Sequence, residues 1–424
     1  LTASIVAAFP GGLARAQVDQ KLTPAIRSAV IDSIAAKLER IYVEPDTGRM
    51  IGQSLQAKLE AGAYDKLDNP AQFAEMVTRD LRALNGDLHL GLRYSPTPPA
   101  GALPGGSPPR RMDGRRQNFG LGKVEILDGN VGYLEITGFM GLPGYQDVVV
   151  DALRFLSRTD AVIIDLRRNG GGSGEMSHFV FSHFLDSVPV NTISVRRRPP
   201  AQPVVRQSLA AVPGPRRTAT PLYLLTSRNT ASAAEEFSFV LKNQKRVTTV
   251  GGRTAGAGHM VTSTAAGHGF TVSISITRVS DPVTGKEWEG TGVAADIAVP
   301  VEQALTAAHA AALRSIITGM KDEQETGYLT RLLVSLDARR EPRAVDPTRL
   351  ARYAGSYEGR VVSVAGGRLH YARREGGLSE VLVPLSDTRF ALGATQLQFE
   401  EQGGSIRLII EQSDGTHVTL NQGS

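Results

Sequence analysis

Cysteine is absent from all 424 residues, which removes disulfides, thiolate nucleophiles and cysteine-based zinc sites together. Catalysis must then rest on oxygen or nitrogen groups or on a metal site without thiolates, and neither a metal nor a cofactor is expected. Long hydrophobic runs are missing too: no stretch reaches the roughly 18 continuous apolar residues of a membrane span. Aromatic residues make up only 6% of the chain, with a single tryptophan. None of them interleaves with the two arginine clusters, RRMDGRR at 110–116 and VRRRPP at 195–200. Stacking on bases requires such aromatics, so both clusters are expected to be solvated loops and no nucleic-acid partner is expected.

What is present suits a globular protein of two or three domains: 41% hydrophobic, 21% charged, net charge +5. The first 20 residues hold a short apolar run and then Ala14-Arg15-Ala16, a small-x-small site like the end of a secretion signal, which predicts a periplasmic or secreted protein. Residues 21–94 read as a helical domain. Thr23-Pro24 caps a helix carrying Ile26, Val30, Ile34, Leu38 and Ile41 on one face, a second helix spans about Met50 to Ala61, and a third opens at Asn69-Pro70. Residues 95–118, rich in Pro, Gly and Arg, read as a linker.

From 119 to 322 the pattern becomes β/α. The runs GYLEI, AVIID and LYLLT alternate with amphipathic helices, which implies crossover units and a largely parallel sheet covered on both faces. Residues 323–344 read as a second linker, and 345–424, with short strands and glycine turns, as a small C-terminal β domain.

Ligands of open parallel sheets sit at the carboxyl ends of the strands, and three turns there carry unusual composition. In DLRRNGGGSGE (165–175) consecutive glycines let backbone N–H groups approach an anion, although a plain tight turn also fits. It is no dinucleotide fingerprint, since Glu175 stands where a third glycine would be. In TSRNTASAAEE (226–236) Ser232 and Glu235 have capping-box spacing, the ordinary start of a helix, yet a strand-to-helix turn is also where hydrolases place a nucleophilic serine. KEWEGTGVAADI (286–297) offers Glu289 beside Trp288, which is expected to pack. A serine nucleophile needs a base. Of eight histidines, position leaves His89 in GDLHLGL and His259 in TAGAGHM, and position alone does not choose between them.

Taken together, NTASAAEEF, DLRRNGGG, RTAGAGHM and WEGTGVAADIAV resemble, in motif and order, the tail-specific or C-terminal-processing serine peptidases. The branch that includes the tricorn protease core and the interphotoreceptor retinoid-binding protein modules is the most similar, and YDKLDNPAQFAEMVTRDLRALNGDLHLGL resembles the helical segment preceding its core. This resemblance implies an α/β fold with a Clp-protease/crotonase-like core between the helical and β domains. It also implies Ser232 as nucleophile, His89 as base, Glu289 as its carboxylate partner, and an oxyanion hole from the backbone N–H of Ala233 with Gly170 or Gly171. A lysine base is not supported, because Gly256-Ala257-Gly258 replaces the usual GKG; Ala295 likewise replaces a usual proline. His259 stays open as an alternative base. The expected partner is a peptide or unfolded protein, with homo-oligomerisation open. A catalytically silent module for hydrophobic ligands and a small-ester or acyl hydrolase are the competing readings.

Overall fold

In the computed structural model, residues 22–95 and 114–423 are described. The signal-like segment and most of the first linker, with the arginines at 110 and 111, lie outside them. The chain divides into two compact units. One comprises the N-terminal part with Arg196–Gln202 and His259–Arg278, and the other comprises Arg111–Val195, Pro203–Gly258 and Val279–Ser424.

In the N-terminal unit, α1 (Pro24–Ile41), α2 (Pro45–Glu60) and α3 (Pro70–Arg82) each begin with a first-turn proline, and α1 and α3 also have side-chain caps. The Thr23 hydroxyl accepts from Ile26 N at 3.3 Å, and Asn69 Oδ1 accepts from Ala71 N and Gln72 N at 2.9 and 3.1 Å. Helix α2 starts at Pro45 rather than near Met50 because its polar first turn hides the start. Gly48 in that turn lies so close to α1 that a Cβ would stand 2.6 Å from the Leu38 carbonyl oxygen. Val30, Ile31, Ile34 and Leu38 are fully buried, each contributing about 1.5–3 kcal/mol through apolar burial.

A hairpin, Met260–Gly267 with Phe270–Ser280, belongs as far as Arg278 to this unit although it lies far along the chain. Strand Gly91–Tyr94 pairs with it antiparallel, Gly91 facing Ser273, and Phe73 packs edge-on to Phe270. The second arginine cluster is not simply solvated. Arg196 pairs with Glu44, which also receives Arg278 at 2.9 Å, and Arg198 donates to the Tyr42 carbonyl at 2.8 Å.

The larger unit is built on a six-stranded sheet of β1 (Leu121–Leu127), β2 (Val131–Ile136), β3 (Ala161–Asp165), β4 (Leu222–Thr226), β5 (Thr248–Gly251) and β6 (Ile297–Ala298), in spatial order 6-5-4-3-2-1. All neighbours are parallel except β1 and β2. Strands β2, β3 and β4 are buried at every position, as their largely apolar runs require, with Glu135, Asp165 and Thr226 the buried polar residues toward their carboxyl ends. Helices α4 (Tyr145–Phe155), α5 (Gly174–Ser182) and α6 (Ala233–Asn243) connect strands, while α7 (Ala304–Gly319) buries Ala308 and Leu313 against Val131, Ile163 and Leu225.

Residues 323–344 are not a linker. They hold the 18-residue helix α8 (Glu323–Arg340), capped by Asp322, whose Leu329, Leu332 and Leu336 join the core under α7. Beyond it, α9 (Pro347–Tyr353) leads into two antiparallel sheets. The first is β7 (Gly355–Tyr357), β8 (Arg360–Ala365), β9 (Arg368–Ala372) and β10 (Ser379–Val381). The second is β11 (Val383–Pro384), β12 (Arg389–Leu392), β13 (Thr395–Gln402), β14 (Ser405–Glu411) and β15 (His417–Asn421). They share one core, in which the Tyr353 and Phe399 rings stack at 4.3 Å. Among the described residues, no helix is long and apolar enough to cross a membrane.

Candidate active site

Strand β4 ends at Thr226, and the chain must turn sharply to start α6 at Ala233. Thr230 Oγ1 donates to the Leu166 carbonyl at 2.8 Å and Ser227 Oγ to the Arg167 carbonyl at 2.6 Å, tying this turn to the one that follows β3. The turn culminates in Ser232, which is partly exposed and has φ 54° and ψ −122°. A positive φ is uncommon for a residue with a Cβ, costs of order 1–3 kcal/mol, and collects at functional sites.

Neighbouring groups hold that strain in place. The Ser232–Glu235 pair is laid out as a capping box, but only one half has hydrogen-bond geometry. The Glu235 carboxylate accepts from Ser232 N at 3.0 Å, while Glu235 N donates to the Ser232 carbonyl at 2.8 Å, leaving the hydroxyl out of the cap.

Glu235 does more than cap. It is fully buried, and its carboxylate also accepts from Thr254 Oγ1 (2.5 Å), Gly256 N (2.7 Å) and Ala257 N (2.7 Å). Burial raises its pKa and these bonds counter the rise. The Thr254–Ala257 turn is in turn fixed to the 288–293 loop: Gly290 N donates to the Gly256 carbonyl at 2.8 Å and Val293 N to Thr254 Oγ1 at 2.7 Å. Glu289 Oε2 accepts from Gly258 N at 2.5 Å, and Trp288 packs on Phe239 with ring centroids 4.5 Å apart. Asp296 closes the loop by pairing with Lys242 at 2.7 Å. Glu236, next to Glu235 and also buried, donates its N–H to the Ser232 carbonyl at 3.0 Å, but its carboxylate has no hydrogen-bond partner among the described residues, and burial pushes its pKa up to about 7.

The glycine run approaches Ser232 from the other side. Gly171 has φ +105°, and a Cβ there would meet the Ala231 carbonyl oxygen and Ser232 Cβ, each at 2.8 Å. Only glycine permits this contact. The Gly171 N–H, one of the expected oxyanion donors, is already given to Asn169 Oδ1 at 2.8 Å. Among the described residues, the N–H groups of Gly170 and Ala233 have no acceptor, and that of Ala233 opens α6, where the helix dipole favours negative charge. Gly171 is thus a spacer here, with Gly170 and Ala233 the available donors. A cleft of about 450 Å³ at the carboxyl ends of the strands is lined by residues of both turns, among them Arg167, Arg168, Arg228 and Asn229.

In the N-terminal unit a second polar cluster forms around Asp87, which is 1% exposed. Its Oδ2 contacts His259 Nδ1 at 3.1 Å and accepts from the Tyr42 hydroxyl at 2.9 Å, while Oδ1 accepts from His89 N at 2.9 Å. Burial alone would raise the Asp87 pKa, but the hydrogen bond and charge of His259, with the Tyr42 bond, outweigh it and hold the carboxyl at about 2. For His89, burial lowers the pKa, His259 and Arg82 lower it further, and Asp87 opposes them. Its Nδ1 is buried without a partner.

Ser232, Ala233, Gly170 and Gly171 therefore lie together in one unit, which also holds Glu289 on Gly258. His89 and His259 lie in the other, gathered on Asp87. Sequence reasoning missed Asp87 and the wider role of Glu235. The GDLH context placed Asp87 two residues from a candidate base, whereas no signal announced the donors that converge on Glu235.

Residues 130–299 match the model of peptidase family S41. The chain belongs to this family of serine-type peptidases. Residues 13–113 match the model described as the N-terminal domain of Peptidase_S41 in eukaryotic IRBP. Among solved structures, the peptidase is similar to a lipoprotein from Streptococcus agalactiae (16% identity, 70% of this chain and 100% of that one, TM-score 0.48). It is also similar to the photosystem II D1 C-terminal processing protease (19%, 66% and 94%, TM-score 0.40) and to the tricorn protease (18%, 49% and 18%, TM-score 0.28). At such TM-scores these likenesses assign no chemistry to the peptidase.

Proposed function

We propose that this peptidase is an extracytoplasmic endopeptidase that hydrolyses peptide bonds in peptides or unfolded chains, with Ser232 as nucleophile. The observation that carries this reading is the strained Ser232 backbone, at a strand-to-helix turn with Gly171 pressed against it and two unengaged amides beside it. The hydroxyl attacks the scissile carbonyl, and the N–H groups of Ala233 and Gly170 take up the charge on the tetrahedral oxygen. The Ser232 proton passes to an imidazole and then to the leaving amine, and water repeats the sequence on the acyl-enzyme. The family resemblance makes His89 that imidazole and Glu289 its carboxylate partner. The lowered pKa of His89 supports this, because it is then neutral at pH 7 and able to accept a proton.

One observation favours a second assignment of the base. The imidazole with a buried carboxylate on its Nδ1 is His259, paired with Asp87 at 3.1 Å, the arrangement that fixes the tautomer of a catalytic histidine. Labelling with a fluorophosphonate separates the two. We expect an adduct at Ser232 in the native protein, slowed strongly by either His89→Ala or His259→Ala but not by both, and the sensitive histidine is the base. Absence of any adduct at Ser232 overturns the mechanism. The signal-like segment supports the location, which fractionation of cells making the full-length chain tests directly.

A further inference from the structure

Glu236 is a buried charge that the hydrolytic mechanism does not use. The residue is 5% exposed, and its carboxylate has no hydrogen-bond partner among the described residues. Buried polar side chains are nearly always paired, so such an exception calls for an explanation. Helix capping does not supply one. The neighbouring Glu235 already takes the donors at the head of α6, from Ser232, Thr254, Gly256 and Ala257.

Its position narrows the choice of partner. Glu236 follows Ser232 by one turn of α6, about 6 Å along the axis and on the same side of the helix. The carboxylate reaches the start of α5, where a Cβ on Gly174 would stand 3.8 Å from its Oε2. Helix α5 is tied to α6 at this level, Ser177 Oγ donating to the Ala233 carbonyl at 2.9 Å. The carboxylate therefore lies in the angle between the two turns that offer the unengaged amides of Gly170 and Ala233. The space before Gly170 is open, with nothing within 4 Å of where a Cβ would be. The cation whose charge reaches Glu236 is Arg206, on the strand Val204–Gln207. Its guanidinium makes no ion pair or hydrogen bond among the described residues.

We propose that Glu236 selects substrates in which the residue bearing the scissile carbonyl is lysine or arginine. The cationic side chain passes between the two turns and gives the Glu236 carboxylate the hydrogen-bond donors it lacks. The four-carbon stem of lysine is long enough to cover one turn of helix. An acidic side chain would meet like charge there, and an apolar one would leave the carboxylate unpaired, so both are disfavoured. The proposal rests on Ser232 as the nucleophile, and its test separates the two.

The test uses the full chain at pH 8 and two aminoalkyl diphenyl phosphonates that differ only in carrying a lysine-like or a leucine-like side chain. Ser232 Oγ displaces phenoxide from phosphorus, which stands in for the scissile carbon. The rate of adduct formation at Ser232, followed by mass spectrometry, then reads the side-chain preference directly. The lysine-like reagent should react faster by about tenfold or more. In Glu236→Gln that ratio should fall by about tenfold or more, in Glu236→Leu it should reverse, and Glu236→Asp should keep part of it. A merely structural loss slows both reagents alike and leaves the ratio unmoved. Three results overturn the proposal while the hydrolytic reading stands: equal rates in the native chain, a ratio that survives Glu236→Gln, or labelling of Ser232 by the plain fluorophosphonate alone. No labelling of Ser232 by any of the three reagents removes that reading and this proposal with it.

Discussion

The Ser232 turn and the Asp87 cluster hold polar groups in place by opposite means. At Ser232 the main instruments are backbone: a positive φ, a glycine packed against the serine, and amides that bond to one buried carboxylate or stay unengaged. At Asp87 the instrument is a buried charge, held ionised by an imidazole and a tyrosine hydroxyl. Backbone geometry does not titrate, whereas a buried charge does. The first region should therefore respond mainly to changes of shape and the second to changes of pH, except where Glu236 brings a titrating group into the first.

The largest expected effect separates chemistry from structure. Ser232→Ala should lower kcat by about ten-thousand-fold or more on any cleaved peptide, with a melting temperature at or above that of the native protein, since the hydroxyl forms no part of the cap. Comparable loss of stability and activity would return Ser232 to a purely structural role.

Next, Gly171→Ala forces a Cβ into contacts of 2.8 Å at φ +105°. It should cost about 2–4 kcal/mol in urea unfolding and lower kcat by about a hundredfold through displacement of the Ser232 turn. A fully active, fully stable variant would break the claim that this region depends on shape.

Glu236 tests the titrating exception. Its folded pKa is raised from 4.5 to about 7, so the stability tied to its protonated form is complete below pH 4.5 and lost as pH rises through 7. Glu236→Gln should then stabilise by up to about 3 kcal/mol at pH 8 and make no difference at pH 4.

The smallest effect belongs to Asp87. Its folded pKa is depressed from 3.8 to about 2, so its contribution is present above pH 3.8 and lost as pH falls through 2. Asp87→Asn should cost about 2 kcal/mol at pH 7, the deficit shrinking in unfolding curves taken at pH 3. If His89 is the base, its lowered pKa puts the acid limb of kcat/KM below pH 6.5.

The sequence made the sheet legible because strands buried on both faces are apolar almost throughout, as in AVIID and LYLLT, whose polar residues come only at the carboxyl end. The helical starts were legible where Thr23 and Asn69 provide caps. Helix α8 was hidden because its leucines are set among Glu, Arg and Asp, and their burial depends on α7. The partition of the hairpin containing His259 into the N-terminal unit was hidden for another reason. Asp87 and His259 are 172 positions apart, and neither local propensity nor periodicity carries information over that distance. Ser232 was legible as a choice between cap and nucleophile. Its backbone angle, which makes the choice meaningful, depends on Gly171 and Glu235 arriving from two separate turns.

Helix α8 also governs how this chain can be divided. One side covers the apolar surface of α7, while Arg331 reaches Glu411 in the C-terminal sheets at 3.1 Å. A truncation placed at 322 would strip the α7 side of the core and invite aggregation, whereas one placed after Arg340 leaves that cover intact. Anyone seeking a minimal catalytic fragment should keep the helix and discard only the residues C-terminal to it.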